Sequence, residues 1–174
     1  ERAALCELKV GLDIFHGRQH DAIASGLAGL QRIAAALPPG TLEVPVAQPD
    51  AAAVEAGFAA LERELAAHEL AALIVLPVAR EPLPAAAMRI LMATGPAAMF
   101  VDGRLAFTIF MAIVALSLRH GATRATGYGF AGLGMYLAAA RQQVVRADAL
   151  GQLALRLNAR VGDDALTAKI HQLV

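Results

Sequence analysis

The amino-acid sequence predicts an all-α fold in which antiparallel helix pairs stack side by side, as a solenoid or superhelix of about seven or eight helices. Hydrophobic residues make up 57% of the chain, whereas aromatic residues make up 5% and Trp is absent. The core must therefore be built from Ala, Leu, Ile and Val, and Ala and Leu favour helices over strands. Small residues also recur at helical spacing near both ends of the chain, which predicts helices that pack closely in pairs.

The small residues form two hairpins with similar spacing. The first hairpin follows Gly17 and the second follows Leu133-Gly134. Four positions superimpose when the hairpins are aligned: Ala22 on Ala147, Gly26 on Gly151, Gly29 on Ala154 and Leu30 on Leu155. The spacing resembles that of tetratricopeptide repeats, in which Leu-Gly lies in the first helix and small residues lie in the second. The Tyr of that pattern is absent, since Leu137 occupies its place, so the repeat is degenerate.

The first half of the chain reads as three helices and a broken segment. Residues 3–15 and 19–37 form an antiparallel pair that turns at Gly17, and Pro38-Pro39-Gly40 ends it. Residues 41–50 form a loop, with Asp50 as the N-cap of a long third helix. Its apolar spacing runs from Val54 through Leu73. Residues 73–76 are alternatively a lone buried strand, although no second β-rich run is available to pair with it.

The second half is more regular. Pro84 lies in the first turn of a short helix that ends before Gly95-Pro96. A fifth helix covers 105–119 with Gly121 after its end, and Thr123 caps a sixth helix that runs to about Arg141. A seventh helix covers about 143–160. Gly162 terminates it, and Asp163 starts an eighth helix.

Bulk composition limits the classes of partner. The chain carries 15 basic and 15 acidic residues, so it has no net charge and no electrostatic footprint for nucleic acid or an acidic membrane. The apolar stretch 105–118 is shorter than a membrane span and is predicted to be a central buried helix. The lone Cys6 fits a core position and a reducing cytoplasm. Because the sequence opens inside a helical pattern without Met, we expect residues 1–174 to be a single-domain fragment of a larger chain.

Three short patterns in the sequence resemble catalytic or metal-binding motifs. Residues 127–132 spell G-x-G-x-x-G, with Asp148 downstream, but these glycines lie within a helical pattern rather than after a strand, which favours tight helix packing over nucleotide binding. His16 and His20 are separated by four residues, yet Gly17 interrupts the helix and no third ligand is near. Glu62 and Glu64 fall on different helix faces. We therefore predict no catalytic, cofactor-binding or metal-binding residues, and no enzyme activity.

One basic corner is a candidate interaction surface. Arg119 and Arg124 lie near helix ends close to Tyr128, and Arg104 is a possible third cation. The simpler interpretation is a solvated set of side chains that complements the helix dipoles. The alternative is that this corner docks an acidic partner or a neighbouring domain.

A family resemblance covers nearly the whole chain. It is carried by residues 127–137 and 150–158, by the block around Ala22-Ile23 and Gly26-Leu27, and by residues 87–92. These blocks resemble the helical-repeat region of large bacterial signalling proteins, which combine a serine/threonine kinase-like domain, an AAA/STAND-type ATPase, and GAF and sensor histidine kinase modules. The matching motifs are helix-packing motifs, so no functional residue of that family is carried over.

The resemblance implies a non-catalytic regulatory and protein-interaction module of a cytoplasmic multidomain kinase or ATPase. It would couple the ATPase to the output domains through neighbouring domains or a protein partner, without nucleic acid or membrane. The alternative is a small-molecule sensor that binds a ligand in a groove between the fifth, sixth and seventh helices. A third hypothesis, nucleotide chemistry at Gly129, requires nucleotide binding that Gly129→Ala weakens.

Overall fold

The computed structural model describes residues 2–161 and 164–173, and it confirms the all-α prediction: in these residues helices pack in pairs and there is no β-strand. The elements in order are α1 (Arg2–Phe15), α2 (Gln19–Ala34), α3 (Ala51–Leu65), a 3₁₀ helix (Leu70–Val75), α4 (Pro82–Val101), α5 (Gly103–His120), α6 (Arg124–Arg141), α7 (Val144–Val161) and α8 (Asp164–His171). The predicted stop at Gly162 and start at Asp163 lie outside the described residues.

The helix pairs assemble as a bundle centred on α4 and α5. Helix α4 packs against α1, α2, α5 and α6, whereas α5 packs against α3, α4 and α6. Helix α7 packs against α6, and α8 lies against both of them. The predicted central buried helix is confirmed in α5, whose buried side chains include Leu105, Ile109, Phe110, Ile113 and Val114.

Two helices are long and apolar enough to cross a membrane when judged by length and composition alone. These are Pro82–Val101 and Gly103–His120, so α5 is longer than the apolar stretch that predicts it. Within their most apolar windows, 56% and 50% of the residues are buried inside the bundle. The same pattern arises in core helices that pack against other helices, as both of these do.

Local capping chemistry starts the helices where the sequence predicts. The Asp50 side chain accepts a hydrogen bond from the Ala53 amide at 2.7 Å, which satisfies one orphan donor of α3. Thr123 and Thr126 form a reciprocal capping box at the start of α6, with the Thr123 amide donating to Thr126 Oγ1 at 2.9 Å. Both N-cap predictions are therefore confirmed.

The third helix is shorter than predicted. Helix α3 ends at Leu65, and the apolar residues from Leu70 onward form the 3₁₀ helix instead of a further α-helical turn. The Ala67 and His68 amides bond to the carbonyls of Glu64 and Leu65, three residues back, which tightens and ends the helix. The alternative of a strand at 73–76 is also wrong.

A parallel β-bridge between Val78 and Ala122 joins the segment after the 3₁₀ helix to the turn between α5 and α6. The Ala79 amide donates to the Ala122 carbonyl at 2.9 Å, and the Ala122 amide donates to the Pro77 carbonyl at 2.6 Å. Gly121 makes this possible because its φ of 98° suits glycine, and a Cβ there would lie 2.6 Å from the Pro77 carbonyl oxygen.

The prediction that a short helix ends before Gly95-Pro96 is wrong. Helix α4 continues through Pro96 to Val101, although proline cannot donate the usual backbone hydrogen bond. Packing compensates for this loss: Ala97 and Ala98 are fully buried beyond the proline. Gly95 lies under the Tyr128 ring of α6, where a Cβ would come within 2.8 Å of the hydroxyl oxygen. Tertiary contacts before and after Pro96 therefore keep α4 helical at a residue type that usually ends a helix.

Glycines bring the helices together at both ends of the chain. A Cβ at Gly127 or Gly134 of α6 would lie 2.9 or 3.0 Å from the carbonyl oxygens of Ala154 and Ala147 on α7. Glycines 129 and 132 face Ile113 and Phe110 of α5. The close-packing interpretation of the glycine-rich segment is confirmed. In the first hairpin, the glycines of α2 face Thr94 and Ile90 of α4 as well as Cys6 of α1.

A buried cluster of hydroxyl groups joins α5 to α6. Ser117 Oγ donates to the Ile113 carbonyl at 2.8 Å and lies 2.9 Å from Thr126 Oγ1, with Met88 Sδ of α4 at 3.5 Å. Both residues are almost fully buried. Because each hydroxyl has a hydrogen-bond partner, burial of the cluster leaves neither group unsatisfied.

Candidate functional site

The structure does not bring the four predicted interaction residues together. Arg104 lies in the first turn of α5 and Arg119 in its last, so the two are about 22 Å apart along the helix axis. Arg124 is exposed at the start of α6. Tyr128 is buried, only 4% exposed, and burial raises the pKa of its hydroxyl to about 12. Arg104 and Tyr128 therefore cannot form one surface with Arg119.

Arg119 is engaged within the chain rather than displayed alone. Its Nε donates to Glu64 Oε2 of α3 at 3.0 Å, and its Nη2 donates to the other carboxylate oxygen. These hydrogen bonds raise the pKa of Arg119 above its ordinary value. Arg119 thus links α5 to α3.

The glycine-rich segment has no nucleotide-binding geometry. Residues 127–132 lie inside α6, so they form neither a loop nor a helix N-terminus that could cradle phosphate. A strand does not precede them either, since the residues before them are α5 and a short turn.

Metal and nucleophile chemistry are equally unsupported. Among the described residues no group of three or more His, Cys, Asp or Glu side chains could hold a metal ion. Cys6 donates its thiol to the Ser25 carbonyl at 3.4 Å, and burial raises the pKa of the thiol, which keeps it protonated.

A buried aspartate, which sequence reasoning did not single out, anchors α1 to α2. Asp13 is 2% exposed and accepts hydrogen bonds from Lys9 Nζ and Arg18 Nη2, each at 2.7 Å, and from Ser25 Oγ at 3.5 Å. The hydrogen bond from Lys9, assisted by that from Arg18, holds the pKa of Asp13 below its ordinary value of 3.8. Through Arg18 and Ser25, Asp13 thus joins α1 to the start and the first half of α2.

The packing of α1 on α2 and α4 leaves an apolar row of α1 facing solvent. Leu5, Leu8, Leu12 and Phe15 are 65%, 70%, 54% and 84% exposed. Their spacing of three, four and three residues places them on one helix face, as in the seam of a coiled coil. We call this row the α1 seam. Among the described residues, other large exposed apolar side chains lie in loops or near helix ends.

Basic residues border the α1 seam on the side toward α2. Arg2, Lys9 and His16 recur at intervals of seven residues there, whereas Ala4 and Gly11 border the opposite side. Arg32 of α2 joins this border across a groove of about 680 Å³. Small side chains line the rest of the groove, namely Cys6, Ala24, Ser25 and Ala28. Leu5 belongs to both the groove and the seam, so a helix docked on the seam would lie beside the groove.

A second cavity of about 630 Å³ lies between α1, α2 and α4. Its floor is apolar, with Ile33, Ala86 and Ile90, and Arg2, Arg32 and Arg89 surround it. Arg89 also pairs with Glu7 at 3.2 Å, which ties α4 to α1.

The signal for the α1 seam is present in the sequence as apolar residues at i, i+3, i+7 and i+10. A second apolar row on the same helix, with Val10 buried and Ile14 half-buried, faces the core. Pattern alone does not show which row is inside.

Comparison with known proteins gives no further guide: no family model, curated protein or solved structure matches the chain.

Proposed function

We propose that this chain is a non-catalytic protein-interaction module of a larger cytoplasmic signalling protein, and that the α1 seam is where it docks an amphipathic helix. The signalling context, with coupling between an ATPase and an output domain, is supported only by the sequence resemblance described above. The docking role is supported by one observation, the exposure of Leu5, Leu8, Leu12 and Phe15 on a helix whose other face is packed. Burying one such side chain contributes about 1.5–3 kcal/mol.

The charges beside the seam select the kind of partner. A second copy placed antiparallel would set the row of Arg2, Lys9 and His16 against itself, so it would bring no carboxylate to pair with Arg2. A parallel second copy would set that row against Ala4 and Gly11, with no ion pair to gain. A partner helix with a leucine-type seam and acidic flanks can pair with Arg2 and Arg32, so it is the occupant we propose.

The test uses two synthetic helical peptides with the same leucine seam, one flanked by Glu and one flanked by Lys. Isothermal titration calorimetry should show binding of the Glu peptide only. Leu8→Glu in the chain should abolish that binding, because it places a carboxylate in the seam. Val145→Glu, the same type of change at an exposed valine of α7 (87% exposed), should leave it intact.

Three results would contradict the proposal. One is equal affinity for both peptides, and another is Glu-peptide binding that survives Leu8→Glu. The third is stable self-association that Leu8→Glu abolishes, because it would assign the seam to a second copy.

The alternative function, a small-molecule sensor, has a candidate ligand cavity in another part of the fold. Helix α3 lies over α5, α6 and α7 and forms an ion pair with each of them. The 630 Å³ cavity between α1, α2 and α4 favours a small amphipathic anion instead, because three arginines surround an apolar floor. A thermal-shift screen of medium-chain fatty acids tests this, with Arg32→Ala expected to remove any stabilisation.

A further inference from the structure

Opposite charges are segregated along this neutral chain. Residues 41–81 hold seven of the 15 acidic residues and only two basic ones. Residues 103–161 hold seven arginines and a single acidic residue, Asp148. Zero net charge therefore conceals an acidic segment and a basic helical unit, α5 to α7.

The structure places the acidic segment on the basic unit through matched pairs. Glu62 of α3 receives two hydrogen bonds from Arg146 of α7, both at 2.7 Å. Glu55 receives one from Arg141 at 2.7 Å and one from the Tyr136 hydroxyl at 3.0 Å, both on α6. With the pair between Glu64 and Arg119, three glutamates of α3 engage one arginine from each of α5, α6 and α7.

Apolar contacts add to the pairing but fill the interface incompletely. Val54, Phe58, Leu61 and Leu65 are buried, and the Arg141 guanidinium lies 4.9 Å from the centre of the Phe58 ring. A cavity of about 260 Å³ nevertheless remains between α3, α5 and residues 41–49. Small residues line it on both helices: Ala53, Gly57, Ala60, Ala112 and Ala115. A helix with larger side chains at these positions would fill the same surface better.

Segments without α-helix join α3 to the helices before and after it. Residues 35–50 before it contain no α-helix, and residues 66–81 after it contain only the 3₁₀ helix. Ion pairs at partly exposed positions contribute little net stability, and salt screens them. Underfilled packing and screened charges are typical of elements that open before the whole domain unfolds.

We propose that the face of α5, α6 and α7 beneath α3 is a second docking surface, which fits an acidic amphipathic helix of a protein partner, and that α3 is its intramolecular competitor. The partner presents carboxylates at the spacing of Glu55, Glu62 and Glu64 beside an apolar stripe like that of α3. This surface is independent of the α1 seam.

The experiment measures fluorescence anisotropy of a labelled synthetic peptide, residues 50–66, added to the full 174-residue chain. Glu62→Lys in the chain weakens the internal competitor, so the peptide should bind about fivefold more tightly than to the wild-type chain. Glu69→Lys is the matched control, because Glu69 is exposed and makes no ion pair with the described residues. It should leave the peptide affinity unchanged.

A charge exchange identifies the surface. A peptide with Glu62→Lys should bind the Arg146→Glu chain about tenfold more tightly than it binds the wild-type chain, because both partners have been reversed. Equal binding to the two chains would show that the peptide docks elsewhere and would overturn the proposal.

Folding of the variants is part of the same test. Circular dichroism should show that the Glu62→Lys chain keeps its helices and its cooperative melt, while hydrogen exchange accelerates in α3 and stays slow in α5 and α6. If Glu62→Lys unfolds the whole domain, or if α3 exchanges only with the whole domain, then α3 is an integral part of the bundle and the proposal is wrong.

Discussion

The crossing of α5 and α6 allows a quantitative test of the fold through Gly132. A Cβ at this position would overlap three ring atoms of Phe110, a residue with no exposed surface. Optimal contacts between carbon atoms are about 3.5–4.0 Å, and overpacking of this kind costs about 3 kcal/mol. Alanine gains about 1 kcal/mol over glycine within a helix. Gly132→Ala should therefore lower the free energy of unfolding by about 2 kcal/mol.

Gly11 is the matched control, because it lies inside α1 and a Cβ there would meet nothing within 4 Å. Gly11→Ala receives the same gain in helix propensity without the overlap, so it should raise the free energy of unfolding by about 1 kcal/mol. For a domain of this size, the two changes correspond to a Tm about 4–8 °C lower and about 2–4 °C higher. Scanning calorimetry measures both. A Gly132→Ala variant that melts at or above the wild-type temperature would refute the close packing of α5 on α6.

Three further predictions concern buried polar groups. Because its neighbours lower the pKa of Asp13 below 3.8, the carboxylate stabilises the fold above that pH, and the stabilisation disappears as pH falls through the lower folded value. Asp13→Asn should thus flatten the acid unfolding curve below about pH 4; an unchanged curve would contradict this. Ser117→Ala should lower stability in urea by about 1–2 kcal/mol, more than Thr108→Ala, whose hydroxyl bonds only within its own helix. Burial raises the pKa of Tyr128 from 10.0 to about 12. As pH rises through that range, the unfolded chain ionises more readily than the folded chain, so the fold loses stability. Tyr128→Phe should therefore reduce alkaline unfolding.

Predictions from the sequence succeed where a local signal decides the outcome. Asp50 and Thr123 start α3 and α6 because an N-cap needs only the residue itself and the amides that follow it. The glycine-rich segment is helical because no strand precedes it. In contrast, Pro96 is a local breaker, and only the surrounding helices show why α4 continues past it.

The functional surfaces are harder to predict for a related reason. Helix α1 carries two apolar rows, and only its packing on α2 and α4 shows which row faces solvent. Glu62 and Arg146 are separated by 84 positions in the sequence, whereas the spacing patterns of helices relate only residues a few positions apart. The segregation of acidic residues in 41–81 from basic residues in 103–161 is visible in the sequence, but the net charge of the whole chain does not show it.

The cavity between α1, α2 and α4 also reveals where the acidic segment joins the bundle. Ala36, just beyond α2, and Pro82, at the start of α4, line that same cavity. The two helices are antiparallel neighbours, since Gly29 faces Ile90 and Gly26 faces Thr94. The segment from 37 to 81 therefore begins and ends at nearly one point of the bundle. Because both of its ends are fixed there, insertions or deletions in its connecting loops can be accommodated during evolution without moving α2 against α4.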